Sequence, residues 1–196
     1  MLVQFFIILF LAINCYNYPI KSEEEPKENK YRKLFALSPE YVSNGFDYPV
    51  GKPNAKGYYD AQGFGKNDHL GEDWNRKNAN DFGDPVYACS HGIVTYSEDL
   101  MGGWGQVVII IHVTPDGKFY ESLYAHFHKV YVKVGDKVKK GAKIGTIGDA
   151  NKKYSPHLHF EMRDDINLPV GGGYASIKTG YMNPKKFIKE NRKFKK

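Results

Sequence analysis

The sequence predicts an all-β domain, an antiparallel sandwich or barrel-sandwich hybrid with a groove, closed by a short C-terminal helix. Three observations carry that prediction. From Pro85 onward, short runs rich in Val, Ile, Tyr and Thr recur, each bounded by Gly or Asp turns. Thr114-Pro-Asp-Gly117 lies between two of these runs and has the chemistry of a hairpin turn. Helix signals are confined to the end of the chain, where Asn183 suits an N-cap and Pro184 the first helical position.

The chain begins MLVQFFIILFLAINCYNYPI, and its apolar run over residues 5–13 is too short to span a bilayer. It suits the core of a signal peptide, although no Lys or Arg precedes it, and a short hydrophobic anchor is the competing assignment. Cys15 follows Leu11-Ala-Ile-Asn14, which resembles the lipobox where bacterial lipoproteins are cleaved and acylated. Asn14 stands where that motif usually has Gly or Ala. Residues 1–15 therefore read as a signal peptide or a lipoprotein signal, with simple cleavage and membrane tethering through Cys15 both open. Residues 16–33 are charged and poor in apolar groups, and read as a disordered tether. Fully extended, it reaches at most roughly 65 Å. Residues 34–182 then form the folded domain, with its core at about 60–165. Within it, 34–68 wrap the core irregularly, and Tyr58, Tyr59 and Phe64 either pack on the core, the safer assignment, or stand near the groove.

Strands are expected over 86–89, 92–96, 106–113, 119–126, 130–134 and 143–147. His157-Leu-His-Phe-Glu-Met162, as a strand, places His157, His159 and Glu161 on one face and Leu158, Phe160 and Met162 on the other. In Tyr124-Ala-His126 the even positions share a face if the strand persists. His128 is expected beyond the strand end, at the surface. The final segment, 183–196, is a basic helix and tail in which Phe187, Ile188 and Phe194 can pack back.

Charge excludes one class of partner. The net charge is +6, and residues 183–196 alone hold seven Lys/Arg against one Glu. The remainder is near neutral and is no nucleic-acid surface. The tail is either a solvated helix or a segment drawn to anionic envelope polymers or lipid headgroups. There are two cysteines. If Cys15 is removed or acylated, Cys89 has no partner, and an exported monomer would rely on its core alone.

Five side chains point to metal chemistry: His69 and Asp73 in His-Leu-Gly-Glu-Asp, His126, and the pair His157 and His159. Zinc accepts imidazole nitrogen and carboxylate oxygen, and catalytic zinc keeps three protein ligands. Five candidates for three places leave two groups free to act on a substrate. Glu161 can orient a histidine from behind, or sit in a salt bridge at the groove edge. His91 and His112 read as structural.

These motifs, in this order, resemble the lysostaphin-type zinc metalloendopeptidases, which cleave peptide bonds of bacterial peptidoglycan. The resemblance extends over Gly83-Asp-Pro-Val-Tyr-Ala88, Gly102-Gly-Trp-Gly105 and Val134-Gly-Asp-Lys-Val-Lys-Lys-Gly-Ala-Lys-Ile-Gly145. It implies one Zn2+ per chain, held by His69, Asp73 and His159, with His126 and His157 off the metal. It also implies a peptidoglycan peptide as substrate and a place in the bacterial envelope or outside the cell. His157 is assigned as general base and His126 as stabiliser of the charged tetrahedral state, roles that the sequence leaves exchangeable. The alternatives are a zinc-containing envelope module with little hydrolase activity, and a secreted protease of Gly-rich proteins. The 134–141 pattern also resembles the hairpin of lipoyl and biotinyl carriers, but no Met-Lys-Met context accompanies it.

Overall fold

A computed structural model describes residues 25–194. The signal segment, Cys15 and the first part of the expected tether lie outside the described residues. Ten strands form one antiparallel sheet system: β1 Tyr58–Gln62, β2 Glu72–Arg76, β3 Pro85–Tyr87, β4 Gly92–Asp99, β5 Gln106–Val113, β6 Phe119–Val130, β7 Lys137–Val138, β8 Lys143–Ile147, β9 Leu158–Arg163 and β10 Tyr181–Met182. Their order is β1-β2-β9-β6-β5-β4-β7, with β10 on β9, and with β8 bridging β6 to β3. Two helices flank them, α1 Lys27–Ala36 and α2 Pro184–Glu190. The predicted all-β class therefore holds.

β5 shows why its sequence is a continuous apolar run: both of its faces are covered. Val108 and Ile110 point into the main core with Tyr124, Leu158, Phe160 and Met162. Ile111 and Val113 point the other way, under Tyr31 and Phe35 of α1. Val107 and Ile109 meet Leu123, Ala125, Trp104 and Val170. At the chain's end, Asn183 Oδ1 accepts from Lys186 N at 2.9 Å, Pro184 opens α2, and Phe187 and Ile188 are buried in the core. Phe194 packs against the same cluster.

Three expectations need correction. Composition predicts an unfolded tether as far as residue 33, but α1 begins at Lys27. Tyr31 and Phe35 lie four residues apart on one helical face, so two aromatics suffice to dock an otherwise charged segment on the sheet. Residues 34–68 contain an edge strand, β1, paired to β2. No separate strand covers 130–134; β6 ends at Val130 and the chain turns at 133–136. β6 therefore runs past His128, which is exposed against Phe82.

The long strand β6 changes neighbours midway. Up to Ala125 it pairs with β9, and from Phe127 it pairs with β8. The β5 register slips there too, since Gln106 faces Phe127 while Val108 faces Tyr124. β6 thus carries one extra residue, a bulge, and His126 occupies it with φ 66°.

Glu121 on β6 is 2% exposed, and its Oε2 has no hydrogen-bond partner among the described residues. Burial pushes its pKa from 4.5 up to about 7, against the pull of Lys27 and Arg163. The folded state therefore binds this proton more tightly than the unfolded chain does. Stability from it is full below the unfolded pKa and is lost as pH rises through about 7. Glu121→Gln should flatten that part of the stability profile and stabilise the protein at pH 8 by on the order of 1–3 kcal/mol. Urea melts across this range check it; a variant profile parallel to wild type would show Glu121 to be solvated.

Candidate metal centre

β2 and β9 run antiparallel with Asp73 directly opposite His159. His69 arrives from the turn before β2, bridged to Tyr174, and is fully buried. The glycine between His69 and Asp73 has a steric cause. A Cβ at Gly71 would lie 2.6 Å from Phe160 O and 3.0 Å from His159 Cε1. Only glycine lets the chain cross β9 this closely.

His69 Nε2, His159 Nδ1 and Asp73 Oδ1 converge, with separations of 3.0 Å between the imidazoles, 3.0 Å from His159 to Asp73 and 3.3 Å from His69 to Asp73. The outer nitrogens are each committed. His69 Nδ1 donates to Gln62 O at 3.1 Å, and His159 Nε2 donates to Glu161 Oε1 at 3.0 Å. Deprotonated at the inner nitrogens, the two rings would present lone pairs beside the carboxylate oxygen, a donor set that a shared proton or a cation can hold this close and one that zinc accepts. The electrostatics agree. Burial works against charge on His159, but Asp73 and Glu161 outweigh it and raise its pKa to about 9. Burial likewise opposes ionisation of Asp73, but hydrogen bonds from His159 and His69 hold its carboxyl well below the usual range. The site attracts positive charge.

His126 and His157 stand beside the triad, their rings 4.6 Å apart. Each is fixed through Nδ1 by a backbone carbonyl, His126 by Trp104 O at 3.0 Å and His157 by Ser155 O at 2.8 Å. Both therefore turn Nε2 inward, and His157 Nε2 lies 3.8 Å from Asp73 Oδ1. Burial, with His157 and His159 adding repulsion, lowers the His126 pKa to about 3. Strand alternation would place His126 on the core face with Tyr124, whose hydroxyl accepts from Cys89 N at 2.9 Å. The bulge turns His126 to the opposite face. The simple even-position alternation expected for this strand thus fails, while the side chain still reaches the groove.

Four of the five sequence-selected residues, Asp73, His126, His157 and His159, line one groove of about 440 Å³, with Gln62, Trp104, Tyr154 and Tyr174 in its walls; His69 joins Asp73 and His159 from the buried side. Gly103 and Trp104 of the Gly102–Gly105 segment also line it. Tyr58, Tyr59 and Phe64 do not line it; Tyr58 instead bonds Asp84 at 2.6 Å and Tyr59 is exposed. His112 is structural, hydrogen-bonded to His91 O at 2.8 Å and Ser122 Oγ at 2.7 Å. Glu161 takes the orienting role. Sequence reading missed Arg163, whose Nε and Nη2 bond Glu161 Oε2 at 2.8 and 2.6 Å while Nη1 and Nη2 reach Pro169 O and Val170 O at 3.0 and 2.8 Å. Extending the β9 alternation by two residues would have found it. Tyr174 lies in a segment with no periodicity, and nothing local announces it.

Fold and site together define a class, an all-β domain with a His/Asp/His cluster suited to a metal ion and two further imidazoles beside it. More particularly, the chain belongs to peptidase family M23, whose model matches residues 67–171. Peptidoglycan DD-endopeptidase ShyA of Vibrio cholerae is 35% identical over 104 residues, 53% of this chain and 23% of that protein. Lipoprotein NlpD of Yersinia enterocolitica is 37% identical over 81 residues, 41% of this chain and 78% of that one. Among solved structures, a zinc-containing peptidase from Vibrio cholerae superposes with a TM-score of 0.51 at 30% identity, covering 61% of this chain and 37% of that one. Lysostaphin from Staphylococcus simulans superposes with a TM-score of 0.51 at 27% identity, covering 68% and 50%. The chain thus spans about a quarter of ShyA and half of lysostaphin.

Replacing Glu161 by Gln removes the charge behind His159 while keeping its volume. Zinc affinity should fall about 10–100-fold with the fold intact. Competition with a chromophoric chelator measures it; unchanged affinity would show that Glu161 does not support the ligand.

Proposed function

We propose that this chain is a zinc metalloendopeptidase that hydrolyses peptide cross-links or bridges of peptidoglycan in the bacterial envelope. The observation that carries this reading is the pair of imidazoles, His126 and His157, each locked through Nδ1 so that Nε2 faces the triad. A structural metal site needs no such pair. His69, Asp73 and His159 would hold the ion, which when bound supplies Lewis-acid polarisation of a carbonyl and lowers the pKa of water.

The remaining chemistry belongs to the chain. His157, the more exposed of the two imidazoles, accepts the proton of the attacking water at Nε2, with the Asp73 carboxylate 3.8 Å away to stabilise the imidazolium. It then returns that proton to the leaving amine nitrogen. His126 is kept neutral by burial. Its one N–H is committed to Trp104 O, so Nε2 faces the groove as an acceptor and would orient the attacking water rather than donate toward the oxyanion. The wall of Trp104, Tyr154 and Tyr174 limits water access and leaves a slot beside Gly103 and Gly173 for small residues.

The relatives support the location as well as the chemistry. Several carry the word lipoprotein in their names, among them NlpD and YgeR of Escherichia coli. Tethering through Cys15 fits that pattern. Because α1 starts at Lys27, the chain between Cys15 and the domain is shorter than composition suggests. Residues 16–26 reach at most about 40 Å. A non-hydrolytic envelope module is the weaker reading, since all five side chains are in place.

Purified protein should clear a peptidoglycan zymogram, and a chelator should abolish the zone. His157→Ala should keep stoichiometric zinc by elemental analysis and lose about 10²–10⁴ in turnover. His159→Ala should lose the zinc itself. Full activity of His157→Ala, or no clearing by zinc-loaded wild type, would sink the proposal.

A further inference from the structure

Residues 129–143 hold Lys129, Lys133, Lys137, Lys139, Lys140 and Lys143 against one acid, Asp136. This stretch joins β6 to β8, contains β7, and contributes nothing to the groove. The basic C-terminal segment folds against the same end of the domain. Arg192 bonds Pro53 O at 2.8 Å, and Lys52 of that loop bonds Gly141 O at 2.8 Å. Asp47 sits between Arg192 at 3.3 Å and Lys140 at 4.0 Å. Two basic runs far apart in sequence thus become one face, while the rest of the chain is net acidic. Among the described residues, Lys129, Lys137, Lys139 and Lys143 form no ion pair, whereas Lys133 pairs with Asp136 at 3.1 Å.

Apolar groups stand among these charges. Tyr131 is 51% exposed and Val134, at the turn, is 57% exposed. Lys143 Nζ lies 5.2 Å from the Tyr131 ring centre and Lys139 Nζ lies 4.2 Å from that of Tyr41.

We propose that this basic end of the domain, centred on residues 129–143, docks on an anionic phospholipid surface. Lysines supply attraction to the phosphates, and Tyr131 and Val134 enter the headgroup layer. A polyanion such as nucleic acid would use the lysines and leave the exposed tip without a role. β8 runs from Lys143 at this face to Ile147, and the next residue, Gly148, bridges to His157 at the groove. The groove therefore lies about 17 Å along the strand from the docked end and stays open. The inference is independent of the peptidase reading, because neither face shares residues with the other.

The test uses the full chain with Cys15→Ala, which removes any acyl anchor. Its affinity for phosphatidylglycerol-containing vesicles is compared with that for pure phosphatidylcholine vesicles, so that binding by the apolar N-terminal run cancels. The anionic vesicles should bind at least a hundredfold more tightly at low salt, with the difference shrinking as salt rises. A Lys133→Gln, Lys139→Gln, Lys143→Gln variant should lose about a hundredfold, near fivefold per lysine. It should keep the wild-type far-UV circular dichroism and a cooperative urea transition, which checks the fold. Tyr131→Ser with Val134→Ser should weaken vesicle binding and leave binding to a DNA duplex unchanged. Equal affinity for both vesicle types would overturn the proposal. So would duplex binding as tight as vesicle binding with no effect of the Tyr131 and Val134 changes.

Discussion

The antiparallel register of β2 on β9 is the constraint from which the site follows. It sets Asp73 opposite His159, with Glu72 opposite Phe160 and Trp74 opposite Leu158. A slip of one residue would exchange the faces of β9, sending His159 into the core and Leu158 into the groove. Several features hold the register. Leu158, Phe160 and Met162 are locked among core side chains. Gly71 permits an approach that no other residue allows. The helix α2 braces the pair from outside, since Lys185 N donates to Glu72 Oε1 at 3.0 Å and Lys185 Nζ pairs with Asp60 on β1. The C-terminal helix expected from the sequence is thus also a clamp on β1 and β2.

Inward from Asp73 runs a row of polar side chains, His159, Glu161 and Arg163. Arg163 and Glu161 are both fully buried. Burying an ion pair costs desolvation that the pair's attraction barely offsets, so such a pair is weak evidence for stability. Its value here is positional. The guanidinium aligns Glu161, Glu161 aligns His159, and the same guanidinium holds the carbonyls of Pro169 and Val170. Trp104 Nε1 takes the next carbonyl, Gly171 O, at 3.0 Å. The groove wall that ends in Tyr174 and the orientation of His159 therefore depend on one side chain. A change in the wall would be felt at His159 without any contact to a substrate.

Much of this was legible because the signals are local and periodic. The faces of β9, the 114–117 turn, the cap and packing of α2 and the five polar side chains all follow from spacing. What escaped depends on tertiary context. α1 is too polar for its pattern to stand out, and two aromatics gain their meaning only when the outer face of β4, β5 and β6 is there to receive them. β1 reads as a loop because its alternation is half-exposed, with intermediate and exposed residues in turn. The 164–180 segment has no period, yet it supplies Tyr174 and the carbonyls that satisfy Arg163.

His126 shows where pattern reasoning and structure part company to functional effect. A regular β6 would bury His126 beside Tyr124, where an imidazole would compete for the hydroxyl network of Ser122, Tyr124 and Cys89. The extra residue and the positive φ turn the ring out to face His157, at a cost in backbone strain of about 1–3 kcal/mol for a non-glycine residue. Trp104 O offsets part of that cost by accepting from both His126 N at 3.1 Å and His126 Nδ1 at 3.0 Å. The same two bonds decide which ring nitrogen faces the groove. The bulge also marks where β6 leaves β9 for β8. One irregular residue thus marks where the sheet divides and aims a side chain into the groove.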